Sequence, residues 1–286
     1  MTSQLARLAD GSLELLITVP WDEVTKTYEK VVVQLVEQAE VAGFRKGKAP
    51  RKVVEDKLDK TKTYEEVLKD LIPAAYGKAV EEHKIRPIVQ PKIELKEAVE
   101  QKDWIIRALT CEKPTLTLGE YKKAIIELKD AKQKKIWVPG QTPAPDDSQD
   151  KAKKPSLDEI LKALYDHITI DIPTLLTEHE TNRLLSDLID QTKKLGMSVE
   201  QYLSSTGRTA DTVRKEYEEQ SRRTLTLEFA LEEISDKEGI LVSDDDIETV
   251  LKTAKTDDER KALQAQRYYV ASVLRRQKTI DFLASL

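Results

Sequence analysis

The sequence has 286 residues and a formal net charge of −5, and its 35 % charged residues against 5 % aromatic residues predict a soluble protein with much charged helical surface. The length allows two domains, and the single cysteine excludes an internal disulfide and is typical of a reducing compartment. No run of about 18 apolar residues occurs, so the sequence predicts no transmembrane helix and no membrane partner.

The first 112 residues predict a small α+β domain. Its N-terminus has no basic stretch followed by an apolar run, so we expect no signal peptide and a cytoplasmic location. Asp10-Gly11 is a turn signal, and alternation from Leu13 to Val19 gives the following strand one buried face. The predicted elements are a hairpin at 4–20, helices at about 21–41, 51–58 and 61–83 (the last capped by Thr61 or Thr63), and strands at 92–96 and 104–112. The order β-β-α-α-α-β-β defines a domain over residues 1–112.

Residues 113–155 differ in composition from the rest of the chain. Lysine is frequent from 122 to 135, and proline and aspartate are frequent from 139 to 150. This composition is typical of a linker. We therefore predict a linker over 113–155, with a last extended piece at 115–118 and at most one further strand or helix around 124–128.

From residue 156 onward the pattern predicts helices. Ser156, Ser198 and Thr256 begin capping boxes, and Ser243 is a further N-cap. The predicted helices cover about 156–168, 173–195, 198–204, 209–237, 243–255 and 257–283, with Leu157, Ile189 and Val273 among their inward-facing residues. Because each helix has an apolar stripe, we expect an all-α domain over residues 156–286.

The sequence shows no catalytic or metal-binding pattern. The histidines are His83, His167 and His179, and no two of them have the spacing of metal ligands on one helix. Cys111 has no histidine nearby in the sequence, and no GxSxG motif occurs. We therefore predict no catalytic residue, no metal and no cofactor.

A basic loop, residues 43–52, lies between the first two predicted helices. From Arg45 to Lys52 it has five basic residues and no acidic one, although the chain is negative overall. Its glycines and proline exclude a continuous helix, and no apolar alternation predicts burial of Phe44. The loop is interpreted as a docking element, with a solvated turn as the alternative. A P-loop is excluded, because three residues separate the glycines and alanine follows the lysine.

The octapeptide Gly43-Phe44-Arg45-Lys46-Gly47-Lys48-Ala49-Pro50 matches the GFRxGKxP signature of the bacterial trigger factors, which are ribosome-associated chaperones. Residues 168–173 resemble the family's entry into its helical C-terminal domain. The resemblance covers roughly 1–121 and 156–283. Between these parts the family usually carries an FKBP-like prolyl isomerase domain, for which residues 113–155 are too few.

The resemblance implies that the loop docks beside the nascent-chain exit tunnel, on a protein of the large ribosomal subunit and on adjacent rRNA. Phe44, Arg45 and Lys46 are the implied anchor. The remaining cations attract rRNA, the glycines let the backbone turn, and the proline limits its freedom. The full set of predicted ribosome-binding residues is Gly43, Phe44, Arg45, Lys46, Gly47, Lys48, Pro50, Arg51 and Lys52.

The resemblance further implies that the helical domain holds unfolded nascent polypeptides on scattered apolar patches. Candidate client contacts are Met197, Tyr202 and Phe229, and a weak homodimer away from the ribosome is left open. The implied function is a chaperone without isomerase catalysis, hence not an enzyme. Two alternatives stay open: a prolyl isomerase with an unrecognised pocket, and an RNA- or ribosome-binding factor with no client-holding role. A SurA-like periplasmic chaperone is disfavoured because no signal peptide is expected.

Overall fold

The computed structural model describes residues 1–40, 44–47, 50–55, 58–134, 155–254 and 256–286. The chain separates into two compact units, one of Met1–Pro114 with Pro173–Leu176 and one of Thr115–Ile172 with Thr177–Leu286. Among the described residues, no helix combines the length and apolar character needed to cross a membrane.

The first unit is a four-stranded antiparallel sheet with helices on one face. Its elements are β1 (Thr2–Arg7), β2 (Leu13–Val19), α1 (Trp21–Gln38), α2 (Arg51–Glu55), α3 (Lys60–His83), β3 (Lys92–Glu97) and β4 (Trp104–Thr110). The strand order in the sheet is β1-β2-β4-β3. The predicted α+β order of two strands, three helices and two strands is confirmed.

Alternation along β2 and β4 builds the core of the first unit. Every second residue of β2, beginning with Leu13, is at most 1 % exposed, and each lies opposite a buried residue of β4. Burying a large apolar side chain stabilises the fold by about 1.5–3 kcal/mol. The alternation of apolar residues along the strands therefore determines which face of the sheet the helices cover. The helices contribute Val24, Val31, Val67, Leu71, Ala75 and Ala79 to this core.

The other face of the sheet carries a half-buried ion pair network centred on Arg107. Its guanidinium donates to Glu14 at 2.7 Å and to Glu94 at 3.0 Å, and thereby links β4 to both of its neighbouring strands. The hydrogen bond from Arg107 holds the pKa of Glu14 below its usual value. These bonds connect the three strands β2, β4 and β3 through polar side chains on this face of the sheet.

The cap of α3 differs from the prediction. Asp59 is the N-cap, and its carboxylate accepts the Thr61 N–H at 2.9 Å. Thr63 lies one turn later, buried, with its hydroxyl donating to the Asp59 carbonyl. The expected Thr61 or Thr63 cap is therefore wrong, because aspartate one turn earlier offers the stronger acceptor.

The second unit is mainly helical, as predicted. Its elements are β5 (Leu116–Leu118), α4 (Tyr121–Lys134), α5 (Leu157–Tyr165), β6 (Ile168–Ile170), most of α6 (Thr174–Lys194), α7 (Val199–Thr206), α8 (Ala210–Lys237), α9 (Asp244–Leu251), α10 (Asp257–Ala265) and α11 (Arg267–Ser285). Its largest core cluster combines Tyr121, Ile125, Ile160, Leu164, Ala230, Leu231, Ile234 and Leu283.

Within the predicted linker, the extended piece expected at 115–118 forms β5, and the element expected around 124–128 is part of α4, which is longer than expected. Tyr121 and Ile125 are four residues apart, so they lie on one face of α4, and both are buried in the core of the second unit. The lysine-rich composition hid this short apolar face. The rest of the predicted linker, residues 135–154, lies outside the described residues.

Two further differences concern the helices. The helix expected to reach Ile168 ends at Tyr165, and Ile168–Ile170 instead pairs with Leu116–Leu118 as a two-stranded ribbon. This short ribbon is the departure from an all-α second domain. The helix expected over 257–283 is divided at Gln266, whose backbone has φ −101° and ψ 27°.

α4 and α5 are joined by an ion pair across their facing ends. Lys132, in the last turn of α4, lies 2.6 Å from the Glu159 carboxylate in the first turn of α5. The same Glu159 completes a capping box with Ser156, as the sequence predicts. The hydrogen bonds from Lys132 and from the Ser156 backbone lower the pKa of Glu159.

Candidate functional site

The basic loop connects α1 to α2 in the first unit. The structure describes residues 44–47 and 50–52 of it. Gly43 and Lys48, two of the nine predicted site residues, lie outside the described residues. The other seven are near the C-terminal end of α1 and the N-terminal end of α2.

The three predicted anchor side chains are open to solvent. Phe44 is 47 % exposed, a large fraction for a phenylalanine, and Arg45 and Lys46 are also exposed. Lys46 lies 3.7 Å from the Glu40 carboxylate, but both side chains are mostly exposed, so this ion pair contributes little. An aromatic ring and two cations are therefore available together to a partner.

Gly47 fixes the path of the loop backbone. Its φ is +71°, in the region that favours glycine, and its N–H donates to the Ala39 carbonyl at 3.1 Å. A Cβ atom at this position would lie 2.6 Å from the carbonyl oxygen of Glu37. Glycine is therefore needed here for both the dihedral angle and the close approach to α1.

Pro50 begins the helix that follows the loop. Its carbonyl accepts the N–H groups of Val53 at 2.9 Å and Val54 at 3.3 Å, and so starts α2. Val54 of α2 is buried, so its side chain packs this short helix against the rest of the first unit. The proline therefore has a structural role that needs no partner.

Arg51 makes two ion pairs within the chain. Its guanidinium donates to Glu29 of α1 at 2.6 Å and to Glu55 of α2 at 2.5 Å. These bonds, first that to Glu55 and then that to Glu29, raise the pKa of Arg51. Arg51 thus joins α2 to α1 through exposed ion pairs, and its neighbour Lys52 is exposed as well.

The predicted client contacts are less exposed than other apolar residues of the second unit. Met197, Tyr202 and Phe229 are all half-buried. The sequence reasoning missed more exposed side chains: Leu195 (71 %), Leu241 (76 %), Tyr268 (94 %) and Tyr269 (67 %). The adjacent tyrosines offered a signal, because two neighbouring helix residues seldom both face the core.

Three residues predicted to face inward are exposed instead. Leu157, Ile189 and Val273 lie at or beyond 38 % exposure. Val273 follows Tyr269 by four residues, so the two lie on one face of α11.

A cavity of about 360 Å³ lies between α8 and α11. Its lining includes Phe229 and Leu231 of α8 and Ser272, Arg275 and Arg276 of α11.

The described residues offer no group of three or more histidine, cysteine or acidic side chains suited to a metal. The Ser3 hydroxyl lies 3.0 Å from His83 Nε2 and also donates to Glu82. The Glu82 carboxylate is bonded to the serine rather than to the imidazole, so the arrangement is not a charge-relay triad.

Burial raises the pKa of the Cys111 thiol to about 11, which disfavours the nucleophilic thiolate at neutral pH.

Comparison with known proteins connects both units to one family. The family model described as Bacterial trigger factor protein (TF) matches residues 1–136. The model described as Bacterial trigger factor protein (TF) C-terminus matches residues 146–285. Only residues 137–145 separate the two matches, so no isomerase domain lies between them.

Among curated proteins, the trigger factor of Staphylococcus epidermidis (strain RP62A) is 37 % identical over 113 residues, which are 40 % of this chain and 26 % of that protein. The trigger factor of Staphylococcus aureus (strain Newman) is 36 % identical over the same length, with the same coverage of both chains. The chain thus matches about a quarter of the length of these relatives.

A solved structure of a trigger factor chaperone, reported for promiscuous substrate recognition in folding and assembly activities, has a TM-score of 0.64. The match covers 100 % of this chain and 99 % of the chain in that structure, and the two sequences are 15 % identical. At that identity the likeness establishes the fold and nothing further.

The geometry of Gly47 yields a test that needs no partner. We expect Gly47→Ala to break the bond to Ala39 and to accelerate amide exchange at residue 47 by roughly tenfold or more, because strain at positive φ alone costs about 1–2 kcal/mol. The control is Gly207→Ala, since Gly207 has φ +65° and a Cβ atom there would meet no other atom within 4 Å. Equal acceleration at residues 47 and 207 would show that the approach to Glu37 is unimportant.

Proposed function

The chain belongs to the bacterial trigger factor family, and we propose that it is a ribosome-associated chaperone that holds newly made polypeptides without prolyl isomerase catalysis. The proposal assigns ribosome binding to residues 1–112 and client holding to residues 156–286. It places the protein in the cytoplasm, where ribosomes and nascent chains are found.

The observation that carries the docking proposal is the exposure of Phe44, Arg45 and Lys46 next to Gly47, which is bonded to the end of α1. The Gly47 N–H bonds to the Ala39 carbonyl, so this point of the loop is held before a partner binds. Phe44 can fill an apolar pocket on a ribosomal protein. Arg45 can make a bidentate contact with a carboxylate or phosphate, and Lys46 adds a salt-sensitive attraction to rRNA.

Client holding is supported by the exposed apolar side chains of the second unit. Leu241, Tyr268 and Tyr269 are open to solvent and belong to more than one segment of this unit. Scattered apolar surface of this kind suits weak, broad binding to unfolded chains of many sequences. The known trigger factor structure with the same fold is a chaperone with promiscuous substrate recognition.

Docking is tested by co-sedimentation with ribosomes. Replacing Phe44, Arg45 and Lys46 together by alanine should lower the bound fraction about tenfold or more, because an aromatic and an arginine anchor are lost together. Wild-type binding should also weaken as salt is raised.

A matched control for docking is the triple alanine variant of Ile88, Lys92 and Lys96, on another part of the first unit. Ile88 is 44 % exposed, and Lys96 is paired with Glu94 at 3.3 Å, so this variant removes side chains of similar kind and exposure. Equal losses in the two variants, or no loss in the loop variant, would refute the docking assignment.

The client-holding role is tested away from ribosomes, by light scattering from an aggregating unfolded protein. The wild-type chain in molar excess should suppress the scattering. The loop variant should suppress it equally well, because its apolar side chains in the second unit are unchanged. A chain that binds ribosomes but leaves aggregation unaffected would instead be a ribosome-binding factor with no chaperone role.

The absence of isomerase activity is tested by a protease-coupled assay on a proline-containing peptide. Residues 137–145 leave no room for an isomerase domain between the two family matches. We expect the uncatalysed rate, with a relaxation of tens to hundreds of seconds (about the range for X–Pro bonds). A full-length trigger factor that carries the isomerase domain is the positive control, and turnover by this chain well above background would overturn the claim.

A further inference from the structure

The two edges of the sheet in the first unit differ in how well they are protected. β3 contains a bulge between Leu95 and Glu97, and lysine or glutamate occupies most of its positions. Bulges and charges are common means of preventing another strand from pairing with an edge. β1 keeps an unbroken register with β2 and has one charged residue, Arg7. β1 is therefore the open edge of the sheet.

The hydrogen-bond pattern identifies the free backbone groups of β1. The Leu8 N–H donates to the Ser12 carbonyl at 2.8 Å, which makes these two residues a hydrogen-bonded pair of the ladder. Because such pairs alternate with non-bonded pairs, the backbone groups that point away from β2 belong to Ser3, Leu5 and Arg7. Within the part of the chain that the structure describes, these outward groups have no hydrogen-bond partner.

The start of the open edge and the basic loop lie at opposite ends of α1. The amino group of Met1 lies 3.7 Å from Glu23 in the first turn of α1, whereas Gly47 bonds to Ala39 just beyond the last turn. α1 has 18 residues and therefore spans about 27 Å. A chain anchored through the basic loop thus keeps the start of β1 well away from the anchor.

We propose that the outer edge of β1 binds an extended, unfolded segment of a client polypeptide as an added strand. This inference rests on the proposed chaperone function, which supplies such segments. An extended client carries unpaired backbone N–H and C=O groups that complement those of Ser3, Leu5 and Arg7. Pairing through the backbone requires no particular client sequence, which suits a chaperone for many polypeptides.

The size of the edge favours a client over a second copy of this chain. β1 has six residues and is about 20 Å long. Pairing of two β1 strands would bury far less than the ~1,200 Å² typical of stable interfaces. A client held close by ribosome docking needs only weak and reversible binding, since its effective concentration is high.

The test uses the full chain without ribosomes and a reduced, carboxymethylated lactalbumin, which stays unfolded, as the probe. In the wild-type chain, saturating probe should slow amide exchange at Ser3, Leu5 and Arg7 by about threefold to tenfold, the effect of one hydrogen bond. Amides of β3 should be unaffected by the probe.

A matched pair of variants isolates the backbone contact. Arg7→Pro removes one outward N–H at an edge position where proline is tolerated, whereas Arg7→Ala removes the same side chain and keeps the N–H. Both lose the exposed ion pair with Glu112 at 3.3 Å. Arg7→Pro should bind the probe about threefold to tenfold more weakly than Arg7→Ala. Circular dichroism checks that both fold, and if Arg7→Pro does not, the exchange data on the wild-type chain decide.

Three outcomes contradict the inference. Probe binding without slower exchange in β1, and with equal affinity for the two variants, would overturn the inference and leave the proposed function standing. Failure of the wild-type chain to bind the probe would overturn both. Slower exchange that appears with rising protein concentration and no probe would assign the edge to a second copy instead.

Discussion

The proposed docking surface of the first unit depends on one close backbone contact, between Gly47 and the end of α1. The Gly47 N–H reaches the Ala39 carbonyl, and any side-chain carbon at this position would collide with the Glu37 carbonyl oxygen. α1 is itself seated on the buried face of the sheet. Gly47 is therefore bonded to the end of a helix that packs on the core, while the nearby Phe44 side chain is open to solvent.

The two units divide the proposed work according to how they expose apolar surface. In the first unit, Phe44 lies at a defined place beside two cations, which suits a single, specific contact. In the second unit, exposed residues such as Leu241 and Tyr268 are spread over helices and their connections, which also carry many charges. A specific docking contact needs particular residues at fixed positions, whereas a surface that holds many clients needs only scattered apolar residues. Because the two units have separate cores, one chain can meet both requirements.

The sequence predicted the elements whose pattern depends on local chemistry. Alternation from Leu13 identified the buried strand face, and Ser156 and Ser198 identified helix starts, because both signals reside within a few residues. The exposed loop followed from its composition. What failed depended on contacts distant in sequence: Ile168 has helical spacing but pairs with β5. Exposure of Val273 likewise depends on which helices pack against α11.

The ion pair between Lys132 and Glu159 bears on the length of chain that can connect α4 to α5. It joins the two helices on either side of residues 137–145, which separate the two family matches. A loop whose two ends lie close together has an entropic cost of closure. Each doubling of the loop's length changes this free energy by only about 0.6 kcal/mol. The number of residues between α4 and α5 can therefore vary at a small cost in closure free energy while the contact between the two helices stays the same.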